Sequence, residues 1–479
     1  MNEMTEKNKK VKVGLFGVGL NTYWPQFEGL LERLTNYQLE IAARMGSLGA
    51  DVVNVGLVDC PEKAFDAADE MRREGVEIVF LFISTYALSS TVLPVVQRLR
   101  LPVVILSIQP AASIDFAKLN ASGDKGKMTG EWLANDQVCA MPEFASVFNR
   151  AGIQYEIVTG YMQEDYVWQE VRQWIDAARV KAGMSSNRLG ILGHYYCGML
   201  DVYTDTALQS VVFGTHIELL EMCELKALRD AVTGDEMADK LKAFHTHFDV
   251  SPQCEPAELE RTAQTAVALD KLMAAHRLGA MAYYYEGHDG NDYENIVTSM
   301  IAGNTLLTGT GIPIAGECEV KNVQAMKIMS LLGAGGSFSE FISIDFTDDV
   351  VLLGHDGPAH FAIAEGRVGL APLPLFHGKP GKGLSIQMSV KHGPVTLLSV
   401  CEGNDGIFLL VAEAESVPGP VIEIENTNSR YRFACGARNF VNSWSKAGPS
   451  HHIAIGTGHW AATIEKIALL LKIPVVQVG

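Results

Sequence analysis

A chain of 479 residues has room for about three domains with real cores, at roughly 150 residues each, which excludes a small disulfide scaffold. Apolar residues make up 48% and charged residues 20%, a globular composition, and the formal charge of −18 opposes both a phosphate backbone and an anionic membrane surface. Neither nucleic acid nor membrane is expected as a partner.

In chain order, the polar and basic start MNEMTEKNKKVK runs into a strand, with no apolar secretion segment behind it. No apolar run reaches the roughly 18 residues of a membrane helix, and the eight cysteines stand without a CxxC pair. A cytoplasmic protein with reduced thiols is expected. Strand-like runs then alternate with amphipathic stretches: VKVGLFGVG, a helix around Phe27 to Met45, VVNVGLV, a helix around Glu62 to Arg73, VEIVFLFI, a helix around Leu88 to Arg98, and PVVILSI. Repeated βα units predict a parallel sheet covered on both faces, with ligands at the carboxyl ends of its strands. Asn21, Tyr23, Gln26 and Gln109 stand at such ends, polar and aromatic groups suited to a hydroxyl-rich ligand.

A second α/β stretch follows, with RLGILG and GAMAYYYEG as strands and a helix over Glu255 to Arg277. Past Gly335 the pattern turns to period two in DVVLLG, LSIQMSV, PVTLLSV and GIFLLVAEAE, with the turn Glu402-Gly403-Asn404-Asp405-Gly406 and a closing helix near Trp460 to Leu471. The predicted fold class is α/β: two doubly wound parallel-sheet, Rossmann-like domains (1–172 and 173–325) followed by an antiparallel β-rich, barrel-like domain (326–479).

The cluster Gly14-x-x-Gly17-x-Gly19 lacks the order of a dinucleotide fingerprint, and Asp59, which ends the second strand, stands 40 residues past Gly19 where the fingerprint has its acidic residue about 20 positions on. Zinc-protease, Walker, nucleophile-elbow and EF-hand motifs are missing as well. What the last third does carry is Glu317, Glu340, His355, His360 and the pair His451-His452, each in a glycine-punctuated setting. Glu317 opens the helical stretch Val320 to Leu332, and Glu340 follows 23 residues later, past a GAGG turn able to return the chain to the same place. Two carboxylates with imidazoles suit a divalent ion of mixed O/N ligation, such as Mn²⁺, better than a thiolate zinc site. The run Tyr283 to Asp289, with His288, reads more simply as an aromatic strand and polar turn. His216, His245, His247, His276, His377, His392 and His459 read as surface or capping residues.

The segment GECEVKNVQAMKIMSLLGAGGSFSEFISIDF, followed by LLGHDGP and SHHIAIG, resembles the L-arabinose isomerase family within the wider arabinose/fucose isomerase superfamily. The resemblance implies that Glu317, Glu340, His355 and His452 hold Mn²⁺ or another divalent cation, that the two glutamates do the acid-base work, and that His451 binds substrate. His355 follows Gly354 directly where the family has an intervening residue, which keeps His360 open as the third ligand. A small-molecule sugar, a cis-enediol route from aldose to ketose and a homo-oligomer, trimer or hexamer, are implied with it. A non-catalytic sugar-binding protein, and an epimerase or isomerase of an unusual sugar on the same fold, are the alternatives.

Overall fold

The computed structural model describes residues 10–287, 290–373, 382–424 and 426–479. Residues 1–9, His288, Asp289 and His377 lie outside the described residues. The chain divides into two compact units, 10–182 and Gly183–Gly479.

In the first unit, β1 (Val11–Val18), β2 (Ala50–Val58), β3 (Ile78–Ile83), β4 (Val103–Gln109) and β5 (Tyr155–Tyr161) form a parallel sheet of order β2-β1-β3-β4-β5. Its central strand β3, IVFLFI, is buried along its whole length, as a strand with helices on both faces must be. The expected helices form as Leu30–Ser47, Pro61–Glu74 and Ser89–Leu99. The first starts three residues late, after Gly29, whose φ of 76° is left-handed and outside the helix. Gly14, Gly17 and Gly19 serve packing: a Cβ there would stand 2.7 Å from Met71, 2.4 Å from Gln38 and 2.7 Å from Trp24.

The second unit opens with β6 (Arg188–Gly193), β7 (His216–Leu220), the short β8 (Phe248–Val250), β9 (Ala280–Tyr284) and β10 (Ile314–Ala315). Four of these form a parallel sheet, β10-β9-β6-β7. After the helix Val320–Leu332 come β11 (Gly335–Asp345), β12 (Val350–His355), β13 (Val368–Leu373), β14 (Gly383–Gln387), β15 (Gly393–Gly403), β16 (Gly406–Val417), β17 (Thr427–Arg432), β18 (Ile453–Thr457) and β19 (Val475–Val478). Six of them close an antiparallel barrel, β15-β18-β11-β12-β17-β16, whose ends meet through the β15–β16 hairpin. Closure leaves no open edge among those six strands.

LSIQMSV departs from expectation. Its strand β14 stays outside the barrel and pairs with β13, which in turn runs parallel to β8 of the preceding segment. The expected α/β sheets followed by an antiparallel barrel are otherwise what the chain builds. Among the described residues no helix is long and apolar enough to cross a membrane.

Candidate metal centre

Barrel register brings the acidic and imidazole groups together. Strand β11 lies between β12 and β18, with Glu340 opposite Gly354 and Ser339 opposite Ile453. Glu340 is therefore flanked by His355, the last residue of β12, and by His451 and His452, which immediately precede β18. Glu317 arrives from the other side, between β10 and the wholly buried helix Val320–Leu332. That helix returns to β11 through Gly336, whose φ of 102° and whose 2.7 Å approach of a would-be Cβ to the Met326 carbonyl admit no side chain.

The backbone at Glu317 is strained. Glu317 and Cys318 are consecutive non-glycine residues in the left-handed region, at φ 55° and 58°, a conformation that costs on the order of 1–3 kcal/mol per residue. The Cys318 amide donates to the Tyr283 carbonyl at the end of β9 at 2.9 Å, which pins the turn. The strain points the Glu317 carboxylate at three imidazoles: Nε2 of His451 and of His452 each lie 3.5 Å from Oε2, and Nε2 of His355 lies 4.0 Å from Oε1. Nε2 of His451 is also 3.8 Å from Glu340 Oε2, so the two carboxylates meet across one ring nitrogen.

Two overlapping groups, Glu317 with His451 and His452, and Glu340 with His355 and His452, each offer one ligand atom per residue with all such atoms within 4.8 Å of one another. Glu317 Oε2 and both ring nitrogens of His452 are buried without a hydrogen bond of ordinary geometry. Such atoms are costly to leave unmatched, and converging oxygen and imidazole donors fit a divalent cation of mixed O/N ligation. The residues present therefore fit the implied metal.

The imidazoles are not equivalent. Burial, reinforced by the neighbouring His451 charge, pushes the His452 ring down to about 3, which keeps it neutral and a good ligand. His355 is likewise lowered, by burial first. His451 goes the other way: burial opposes its charge, but bonds to Glu317 and Asp201 outweigh it and raise the ring to about 9. Burial would raise Glu317, yet the His451 bond and the charges of the three histidines hold it at about 2. His451 is thus a cation held by carboxylates.

Phe338, fully buried, forms the floor, its ring centroid 4.3 Å from that of His452 and 4.6 Å from that of His355. His360 is buried, its backbone amide donates to Ser337 Oγ at 3.3 Å, and it belongs to neither group. Asn21, Tyr23, Gln26 and Gln109 lie in the first unit. Asn21 and Tyr23 are on the 3-10 turn, Gln26 donates to the Thr22 carbonyl at 2.6 Å, and Gln109 ends β4.

Sequence reasoning passed over Asp201, Glu319 and Phe338. Phe338 and Glu319 stood inside the quoted motif, where a phenylalanine on a strand and a glutamate at a helix start have ordinary readings. Asp201 gave no signal, because its part depends on a contact across 250 positions of sequence, a 2.6 Å approach of Oδ2 to His451 Nδ1.

No family model matches the chain. It is similar to the L-arabinose isomerase of Nocardioides sp., 22% identical over 341 residues that cover 68% of this chain and 66% of that protein. It is similar also to the sulfoquinovose isomerase of Alkalicoccus urumqiensis, 20% identical over 401 residues, 82% and 84% of the two chains. The L-arabinose isomerase of Acidothermus cellulolyticus is 21% identical over 347 residues, 70% and 69%. The chain thus spans about two thirds of the length of the L-arabinose isomerases it matches, and more of the sulfoquinovose isomerase. By sequence the chain is similar, at 20–22% identity, to L-arabinose isomerases and to a sulfoquinovose isomerase.

Proposed function

We propose that this chain is an aldose–ketose isomerase of open-chain sugars that depends on a divalent cation, Mn²⁺ or a similar ion. One observation carries the reading: two carboxylates, Glu317 and Glu340, converge on a single ring nitrogen beside two neutral, buried histidines. The names of the relatives support it.

Glu317, Glu340, His355 and His452 would hold the cation. When bound, the ion supplies Lewis-acid stabilisation of the charge that develops on two adjacent sugar oxygens during enolisation. Glu340, with 38% of its side chain exposed against 19% for Glu317, is the carboxylate open to a substrate. It takes the proton from C2 of the aldose and returns it to C1 of the cis-enediol, which is general base and then general acid catalysis by one group. Glu317, held ionised by its histidines, stays a ligand and a fixed negative charge. His451 offers its Nε2 proton to O1 as the enediol forms and recovers the proton of O2 as the ketose carbonyl forms, and Asp201 at its other nitrogen holds that ring in its charged form at either end of the cycle.

The test is ketose formation over a panel of pentoses, hexoses, deoxy sugars and sulfoquinovose, with Mn²⁺ and with excess chelator. Conversion of at least one sugar, abolished by chelator and restored by Mn²⁺, is the expected result. Sugar binding without turnover, unaffected by metal, would refute it. Turnover confined to sulfoquinovose would assign the substrate to the anionic class.

A further inference from the structure

Each histidine of the pair 451 and 452 is faced on both sides by a carboxylate. His451 has Glu317 at Nε2 and Asp201 at Nδ1, the latter at 2.6 Å and anchored again by the His451 amide at 3.1 Å. His452 has Glu317 at Nε2, and at Nδ1 it has Glu319 Oε2, 3.7 Å away. His355 differs, since its Nδ1 accepts the Gly357 amide at 2.7 Å.

Glu319 is the unusual member. Its side chain is 0% exposed, one residue before the helix Val320–Leu332, and no hydrogen bond of ordinary geometry reaches either oxygen. The Ser450 hydroxyl is nearby, and Lys321 Nζ stays 4.0 Å off because it donates to the backbone carbonyls of Asp201 and Tyr203. A carboxyl group buried this completely is expensive unless a partner is supplied. Across from it stands an imidazole with both nitrogens equally unmatched. An imidazole that gives one nitrogen to a cation must carry its proton on the other, and a carboxylate at that second nitrogen fixes the tautomer and the ring plane. One dication would therefore satisfy His452 Nε2 and leave the Nδ1–H facing Glu319.

We propose that Glu319 is a positioning residue for the cation: it accepts the Nδ1–H of His452, which fixes the tautomer and turns the Nε2 lone pair toward the site formed with Glu317 and Glu340. This rests on the dication reading above.

The experiment is Mn²⁺ titration calorimetry on the full chain, stripped with chelator, for wild type, Glu319→Gln and Glu319→Asp, alongside thermal melting of each metal-free protein. The inference expects Mn²⁺ affinity to fall roughly 10- to 100-fold in Glu319→Gln, and by less in Glu319→Asp, while the metal-free melting midpoint holds or rises. A folded Glu319→Gln that binds Mn²⁺ within about twofold of wild type would overturn the inference and leave the dication reading intact. Failure of wild type to bind Mn²⁺ would overturn both. Loss of folding in both variants would assign Glu319 to stability alone and overturn the positioning role.

Discussion

Replacing Glu317 by glutamine removes the charge on which three imidazoles converge and keeps nearly the same shape. In the metal-free protein that charge is held at about 2 from an ordinary value of 4.5, with burial opposing and the histidines prevailing. By linkage this is worth about 3 kcal/mol at neutral pH, and little of it is screened in a side chain only 19% exposed. Because His451 is stabilised by the same contact, the two effects overlap, and about 2–3 kcal/mol of net loss is expected. Both residues adopt the same left-handed backbone, so the substitution relieves no strain. Urea denaturation of chelator-treated wild type and Glu317→Gln at pH 7 should show this gap, equivalent to roughly 5 °C in melting temperature. The depressed value sets the sign: the advantage is complete above 4.5 and lost as pH falls through about 2, so the curves should draw together between pH 5 and pH 2. Turnover should fall by at least about 100-fold at pH 7. A variant as stable as wild type at pH 7, or more stable, would mean that the histidines do not compensate the buried charge and would refute the reasoning.

The raised His451 ring gives a window of opposite sign. Its contribution is complete below 6.5 and lost as pH rises through about 9, so wild type should exceed His451→Gln by about 1 kcal/mol at pH 6, discounted for a ring one-third exposed, with the difference gone near pH 10 by thermal melting. Phe338→Ala opens a cavity beneath His355 and His452 and should cost about 3–5 kcal/mol and weaken Mn²⁺ binding, while Phe338→Leu should cost clearly less; denaturant titration of the pair checks this. In Gly354→Ala a Cβ would stand 1.8 Å from the Thr427 carbonyl, forcing β12 away from β17 next to His355, so folded protein should show both a lower melting point and weaker Mn²⁺ binding.

Local pattern carried a large part of this architecture. The helix Val320–Leu332 and the strand Arg188–Gly193 form over the residues read from periodicity and turn signals, because both are set by near neighbours. The hairpin around Asn404-Asp405 is equally local, with Gly403 paired to Gly406. Barrel closure through β11 and β18 is not local. It pairs residues more than 100 positions apart, and its register decides that Glu340 meets His451. The detour of β14 into a small sheet with β8 escaped notice for the same reason, since a period-two run does not say which edge it will join.

At the site, residue type and spacing singled out the groups that the fold brings together better than the residues that surround them. Glu317, Glu340 and the histidines announce themselves by type and by glycine-rich context. Glu319 at the start of a helix is indistinguishable in sequence from a solvated residue favoured by the helix dipole, and only its burial beside His452 reveals otherwise. The difference between His451 and His452, adjacent and chemically identical in the sequence, likewise arises from which carboxylate each ring meets after folding.

The central claim is that four side chains share one divalent ion, and diffraction from crystals soaked in Mn²⁺, recorded where manganese scatters anomalously, tests it most directly. The account predicts a single strong anomalous peak per chain in contact with Glu317, Glu340, His355 and His452 together. No peak there under saturating Mn²⁺, or one that touches His360 and leaves either glutamate aside, would contradict it.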